Sequence, residues 1–329
     1  MSVPVPADGA SRLRRGQGQA LSVVRNYGVA VVFVVLFLVL TVSSDPFFSS
    51  TNLLNILDQN AAVGLIAVGT TIVLIAGGFD LSVGATYALA GVVSAKLAAD
   101  VDPILGLVCG VLTGAVVGLL NGVLTSTGRL NPFIATLAMA IVVGGVSVAI
   151  SGGSLIAVRD DTFSKLGTGD VGGLTYAAIV WLALGAILGF VLWRTKFGRY
   201  VYATGGNEEA ARLSGVRSAR VRSATYVISG TLAALAGVIV ASRVGTGQAA
   251  AGGFDIAVVA IAGVVVGGTS ILGGEGAIWR TIVGVLLLAL IGNGFVLLDV
   301  GTVYQDIVRG GIILLAVGID SWARGARGS

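Results

Sequence analysis

Residues 104–124 read Ile-Leu-Gly-Leu-Val-Cys-Gly-Val-Leu-Thr-Gly-Ala-Val-Val-Gly-Leu-Leu-Asn-Gly-Val-Leu, without one charged side chain. A helix needs roughly 20 mainly apolar residues to cross the hydrocarbon of a bilayer, where each backbone amide and carbonyl must find its partner inside the protein. This stretch has that length. Outward from it, similar runs bounded by Gly, Pro, Asn or charge lie at Gly28–Val42, Ala61–Ala76, Ser82–Leu97, Pro132–Ile150 and Leu174–Trp193. They continue at Ala224–Ala241, Ala257–Gly268, Ala277–Leu298 and Val303–Ile319. Ten crossings occupy most of the 329 residues. The prediction is an all-α polytopic membrane protein: a basic segment at 1–27, a membrane domain at 28–319 and a short tail at 320–329. The Ala61, Ser82, Ala257 and Val303 runs are short for a full crossing. Gly-rich joints after the Ala61 and Ala257 runs predict helices that break or end at membrane depth.

Composition supports this reading and removes most chemistry. The chain is 55% hydrophobic and 11% charged, with a mean hydropathy of +0.97, against about 25% charged in a soluble domain. It has no histidine, which excludes Ser-His-Asp and Cys-His catalysis, His-ligated zinc and haem, and histidine proton relays. The single cysteine, Cys109, sits in an apolar run and reads as a small buried hydrophobe; no metal site and no cofactor are predicted. A nucleotide-binding loop needs a lysine followed by Ser or Thr. The only lysines, Lys96, Lys165 and Lys196, precede Leu, Leu and Phe. The chain is predicted to be no enzyme.

The N-terminal end has basic residues ahead of its first run, but Thr-Val-Ser-Ser-Asp-Pro after the run offers no cleavage site, so that helix reads as uncleaved. With the N-terminus inside, the cytoplasmic side receives Arg12, Arg14, Arg15, Arg25, Arg129, Arg194, Lys196, Arg199, Arg212, Arg217, Arg220, Arg222, Arg280, Arg324 and Arg327. The outer side keeps Lys96, Arg159, Lys165 and Arg243. Both termini are thus predicted to be cytoplasmic, and the basic residues follow topology instead of forming a nucleic-acid stripe. Ser151–Gly173, rich in Gly, Asp and Ser, reads as an outer surface loop. Coupled carriers place ionisable groups inside the membrane; here the interior candidates are Asp80, Asp306 and Arg309, the last two spaced to neutralise one another on one helical face.

Residues 194–223 form the one sizeable cytoplasmic loop. Within it, Asn207-Glu208-Glu209-Ala210-Ala211-Arg212-Leu213-Ser214-Gly215 describes a two-turn helix: Asn207 as N-cap, acids in the positive first turn, Gly215 as a left-handed stop. So short a helix is marginal alone. Leu213 with the Ala210/Ala211 pair gives it a small apolar face, which predicts either docking on a cytoplasmic partner or a chance helix in a solvated loop.

These residues resemble the permeases of ribose-type sugar ABC importers. The resemblance is carried by Gly77-Gly78-Phe79-Asp80-Leu81-Ser82-Val83-Gly84, by Asn131-Pro132-Phe133-Ile134-Ala135-Thr136-Leu137 and by Phe197–Ala203 followed by Gly205–Gly215. A late motif completes it: Val266-Gly267-Gly268-Thr269-Ser270 with Gly273-Gly274-Glu275-Gly276. The motifs lie in order, and jointly they are specific. The resemblance implies a permease of about ten helices per subunit, paired with a second copy around one path, with two separate ATP-binding cassette ATPase subunits, an extracytoplasmic sugar-binding protein, membrane lipid and a small sugar cargo. It makes Asn207–Gly215 the coupling helix. One departure stands out: the family's usual acidic pair is replaced by Ala257 and Val259. A nucleoside, a signalling sugar derivative or a branched-chain amino acid are alternative cargoes, and a self-contained carrier or channel is the alternative mechanism. Residues that could line the path are Asn60, Tyr87, Asn121, Asn131, Phe133, Gln248 and Asn293. Asp80 is expected to cap the helix that follows it, with Ser82 close by.

Overall fold

The computed structural model describes residues 27–301 and positions 304, 305, 307, 308, 310, 311, 314 and 318. The Asp306–Arg309 pair, residues 1–26 and the tail at 320–329 lie outside the described residues. The helices are α1 Tyr27–Ser43, α2 Ser50–Ile75, α3 Val83–Asp100, α4 Pro103–Ser126, α5 Pro132–Ser151, α6 Asp161–Thr168 and α7 Tyr176–Arg194. There follow α8 Lys196–Gly206, α9 Glu208–Leu213, α10 Ser218–Val244, α11 Phe254–Val266 and α12 Ile278–Leu297. Two short antiparallel pairs join β1 Ile156–Ala157 to β4 Thr246–Gly247, and β2 Asp170–Val171 to β3 Leu174–Thr175. Among the described residues, seven segments are long and apolar enough to cross a membrane: α2, α4, α5, α7, α10, Ala249–Val266 and α12.

Two helices outrun the apolar stretches that announce them. α2 begins at Ser50, capped by the Ser49 hydroxyl, which accepts from the Asn52 amide at 3.2 Å. α10 begins at Ser218. Hydropathy marks where a helix meets hydrocarbon, whereas the helix continues wherever its polar side chains find partners. In α2 they do. Asn52 and Asn293 exchange amide hydrogen bonds of 3.1 and 2.8 Å between α2 and α12, and Asp58 pairs with Arg243 of α10 at 2.5 Å.

The centre of the bundle is set by residue size. Gly106, Gly110, Gly114, Gly118 and Gly122 recur every fourth residue and form one stripe along α4. A methyl on Gly106 would press on Ser94 and Ala98 of α3, on Gly114 against the Gly230 carbonyl of α10, and on Gly118 against the Tyr226 carbonyl. Without side chains there, α4 lies with its backbone against α3 and α10, the close approach small residues permit in membranes. Its other face, with Val108, Leu112, Val116 and Leu119 about half exposed, is left for lipid or another chain.

The segment read as an outer surface loop is an ordered cap. Phe163 of α6 is fully buried, and the Ser242 hydroxyl donates to the Phe163 carbonyl at 2.5 Å while accepting from the Gly167 amide at 2.8 Å. Thr175 donates to Asp58 at 2.6 Å, and Arg243 also donates to the Gly167 carbonyl. These bonds tie α2, α6, α7 and α10 at one end of the bundle.

Candidate functional site

At the opposite end, three glycine-containing motifs far apart in sequence meet. The first is the joint between α2 and α3. α2 stops at Ala76, and Gly77 takes a left-handed conformation, φ +74°. Buried backbone outside a helix needs partners, and neighbouring helices supply them. The Tyr226 hydroxyl of α10 donates to the Phe79 carbonyl at 3.1 Å; Thr136 of α5 donates to the same carbonyl and accepts from the Leu81 amide, both at 3.2 Å. Asp80, 1% exposed, accepts through Oδ1 from the Ser82 amide at 3.0 Å and the Ser82 hydroxyl at 2.7 Å. Ser82 in turn accepts from Nδ2 of Asn121 on α4 at 2.7 Å. Asp80 therefore fixes Ser82, the residue that precedes α3, and Ser82 makes no cap bond of its own to the helix. Gly84 lies against the Gly253 carbonyl, where a side chain would not fit.

Asp80→Asn keeps the Oδ1 acceptor, and it removes no hydrogen bond at Oδ2, which has none among the described residues although Ser229 lies alongside. Its uptake is expected within about threefold of the parent. Asp80→Leu strands two buried donors at ~1–3 kcal/mol each and is expected to cut folded protein severalfold. Uptake normalised to membrane expression measures both; loss of uptake in a well-expressed Asp80→Asn would show that the charge itself is needed.

The second and third motifs close on this joint. Gly205 and Gly206 end α8, and a methyl on Gly205 would strike the Ile75 carbonyl and come within 2.8 Å of the Gly274 amide. That amide donates to the Ile75 carbonyl at 2.9 Å. Gly273 and Gly274 have φ of +93° and +74°, and Cβ atoms there would lie 2.8 Å from the Gly205 carbonyl and 2.7 Å from Gly206 Cα. The Tyr202 hydroxyl of α8 donates to the Gly276 carbonyl at 2.9 Å. The rest of the late motif is also enclosed: Thr269 and Ser270 are buried, Gly268 is left-handed at φ +77°, and Gly267 backs onto the Arg280 carbonyl. The joints before α3, before α9 and before α12 thus touch backbone to backbone.

Directly beyond this knot stands α9. The Asn207 side chain accepts from the Ala210 amide at 2.9 Å, and Gly215, φ +84°, ends the turn with its amide on the Arg212 carbonyl at 3.0 Å. Glu208 pairs with Arg222 of α10 at 2.6 Å, and Glu209 with Arg212 at 2.7 Å. The apolar face differs from the sequence reading. Ala211 is 5% exposed and turned inward, while Leu213 is 79% exposed and Ala210 and Ser214 are exposed beside it. The outward surface is therefore Ala210, Leu213 and Ser214 with Glu209. α8 was not legible as a helix: Lys-Phe-Gly-Arg-Tyr-Val-Tyr-Ala-Thr-Gly-Gly is neither an apolar run nor a Gly-free one.

The residues named as path candidates are scattered. Asn121 is buried in the Ser82 network, Asn131 caps α5 by accepting from the Phe133 and Ile134 amides, and Asn293 belongs to the amide exchange with Asn52. Asn60 donates to the Ile56 carbonyl, and the half-exposed Phe133 ring packs on Phe79 at 5.7 Å. Tyr87 and Gln248 alone share a cavity, of about 220 Å³, with Thr246, Gly91 and Gly237. One wall is the irregular stretch 245–253. Gly247 lies against Gly91 and Val92, and Gly252 against Gly84 and Ala88, so the stretch runs down the side of α3 before α11 begins. Non-helical backbone within the depth of a membrane bundle is tolerated where it is buried in protein or borders a wet cavity. The sequence reading placed broken helices after the Ala61 and Ala257 runs and missed this third break, just before α11. At the site of the missing acidic pair, Ala257 is fully buried in the apolar core.

The family described as "Branched-chain amino acid transport system / permease component" matches residues 52–317. The chain is 40% identical over 302 residues to the ribose import permease protein RbsC of Bacillus subtilis (strain 168), covering 91% of this chain and 93% of that one. It is 37% identical over 322 residues to the L-arabinose ABC transporter permease protein AraH of Azospirillum brasilense, with 97% and 94% covered. To the D-allose transport system permease protein AlsC of Escherichia coli (strain K12) it is 36% identical over 298 residues, with 89% and 91% covered. No solved structure matches.

Proposed function

The chain belongs to the branched-chain amino acid transport system / permease component family, and on that premise we propose that it forms the membrane path of an ATP-driven importer for a monosaccharide. It is a multi-pass membrane protein of the bacterial cytoplasmic membrane and a transport subunit, with hydrolysis on a separate ATPase. The finer reading is ten crossings per subunit, both termini cytoplasmic, two copies around the path and cargo delivered by an extracytoplasmic binding protein.

One observation carries the coupling half of this reading: α9 is an exposed, capped helix seated next to the point where the α2–α3, α8–α9 and α11–α12 joints touch. A push on α9 from a cytoplasmic ATPase reaches two membrane joints through incompressible backbone contacts, and packed elements with two arrangements are a general means of carrying such a signal. The cargo rests on two supports. The relatives are named for ribose, arabinose and allose, and the cavity beside the broken stretch presents an uncharged phenol, amide and hydroxyl. That set suits a neutral polyol better than an amino acid, whose two charged ends would need counter-charges.

Two measurements test the reading. The purified chain is expected to hydrolyse no ATP, with hydrolysis appearing on addition of a separate ATPase subunit; activity in the rigorously pure chain would refute it. For topology, in a Cys109→Ser background, an impermeant thiol reagent on intact cells is expected to label Asp161→Cys on α6 and leave Ser214→Cys beyond α9 unlabelled. The reverse pattern would invert the orientation.

A further inference from the structure

A second cavity, of about 820 Å³, opens between α7 and α12 above α8, at the same end of the bundle as α9. Its origin is again small residues. Gly185 and Gly189 leave a depression on α7 that faces Ile278 and Ile282 of α12, and a Cβ at Gly189 would have its nearest neighbour at 3.9 Å. The walls are apolar except at one end, where Arg199 and Tyr202 of α8 line it. Arg199 is exposed and forms no ion pair among the described residues. Arg194 and Lys196 stand at the same end, while the acids of α9 are already paired, Glu208 with Arg222 and Glu209 with Arg212. Glu275, on the loop before α12, has its own partner. The rim carries Trp193, 70% exposed with the Arg194 guanidinium 3.8 Å above its ring, and Trp279, 45% exposed and packed on Tyr27 at 6.0 Å.

An apolar trough, basic at one end and flanked by two exposed tryptophans, has the polarity gradient of a phospholipid. Tryptophan gathers at the headgroup level, and basic pockets between helices on the cytoplasmic side attract anionic headgroups. We propose that this groove binds an anionic phospholipid of the inner leaflet, its acyl chains along Gly185, Gly189 and Ile282 and its phosphate at Arg199. Charge argues against a second copy of the chain as the occupant, since a two-fold pairing would bring together two copies of one face whose charged end carries Arg194, Lys196 and Arg199, with no acid there among the described residues free to answer them. The inner-leaflet placement rests on the orientation proposed above, while the groove is read without ATPase or sugar, so its failure and the failure of the transport reading are separable.

The test uses the full chain in phosphatidylcholine nanodiscs doped with a photoactivatable phosphatidylglycerol, with labelled peptides mapped by mass spectrometry. Labelling is expected in 182–202 and 277–282, with unlabelled phosphatidylglycerol competing roughly fivefold better than phosphatidylcholine, the preference one surface cation confers. Arg199→Gln, at an exposed position, is expected to abolish the preference and retain labelling; Gly189→Phe, which fills the trough, is expected to remove the labelling. Equal competition by the two lipids, an unchanged preference in Arg199→Gln, or displacement by millimolar inorganic phosphate would each overturn the proposal. So would efficient crosslinking of Trp193→Cys between two copies.

Discussion

Gly205→Val is expected to abolish uptake, and Gly206→Ala, one residue on, to leave it within about twofold of the parent. The two glycines share a helix end and differ in what a side chain would meet. At Gly205 a Cβ falls on the Ile75 carbonyl and close to the Gly274 amide, the two groups that bond to each other across the knot. At Gly206 the nearest atom is Gly274 Cα at 4.0 Å, ordinary van der Waals contact. Nothing at the first site is the flexible end of a side chain, so the backbone must part, at a cost on the order of 4 kcal/mol, about a thousandfold in an equilibrium. That free energy can be drawn from global stability or from the alignment of α8 and α9 with the membrane joints. Thermal unfolding of the purified protein separates the two, and vesicle uptake with the ATPase subunit present reports the function. Parental uptake by Gly205→Val would remove the backbone contact from the mechanism.

Leu213→Arg is expected to weaken association with the ATPase subunit by about thirtyfold, the scale of losing one central interface anchor at ~2 kcal/mol. Stability of the chain alone should be unchanged, because the leucine touches little of its own protein. Ala211→Trp is expected to act oppositely. Its methyl is 5% exposed and faces the bundle, so a large ring there overpacks the seat of α9 and lowers stability before it affects docking. Sedimentation of the complex and melting of the isolated permease give the two readouts. Parental association in Leu213→Arg would leave α9 a solvated helix without a partner.

The contrast between Leu213 and Ala211 shows where sequence reading ended. The caps Asn207 and Gly215 are local, since their bonds span three residues, and they locate the helix. Which side of it faces the bundle depends on how α8 approaches, and α8 has no hydropathy signal. The membrane runs were legible because contact with hydrocarbon selects one chemical character over a long stretch. The contacts inside the bundle select size, and the five glycines of α4 carried that information at every fourth position, unused when only hydropathy was read. The Asp58–Arg243 pair was hidden because Asp58 lies in the polar beginning of α2, before the apolar run. Tyr87 and Gln248 could be named as polar groups near a path, yet the neighbouring break at 245–253 came from glycines at 245, 247, 252 and 253 between two apolar runs, a spacing that a loop of the same composition would share.

The two ends of this bundle are held by unlike forces, and they answer to different perturbations. At the α6 end, cohesion passes through a partly exposed ion pair, with Arg243 28% and Asp58 23% accessible, and through the buried bonds of the Ser242 hydroxyl. Dissolved ions weaken such a clasp progressively, within a screening length of about 8 Å at physiological strength. At the α9 end salt can screen the Glu208–Arg222 pair that ties α9 to α10, but the knot behind it is made of carbonyls, amides and α-carbons of glycine, which carry no net charge. Raising the salt therefore loosens the α6 clasp and leaves the glycine knot as stiff as before, so one joint is tuned by the medium and the other is fixed by volume.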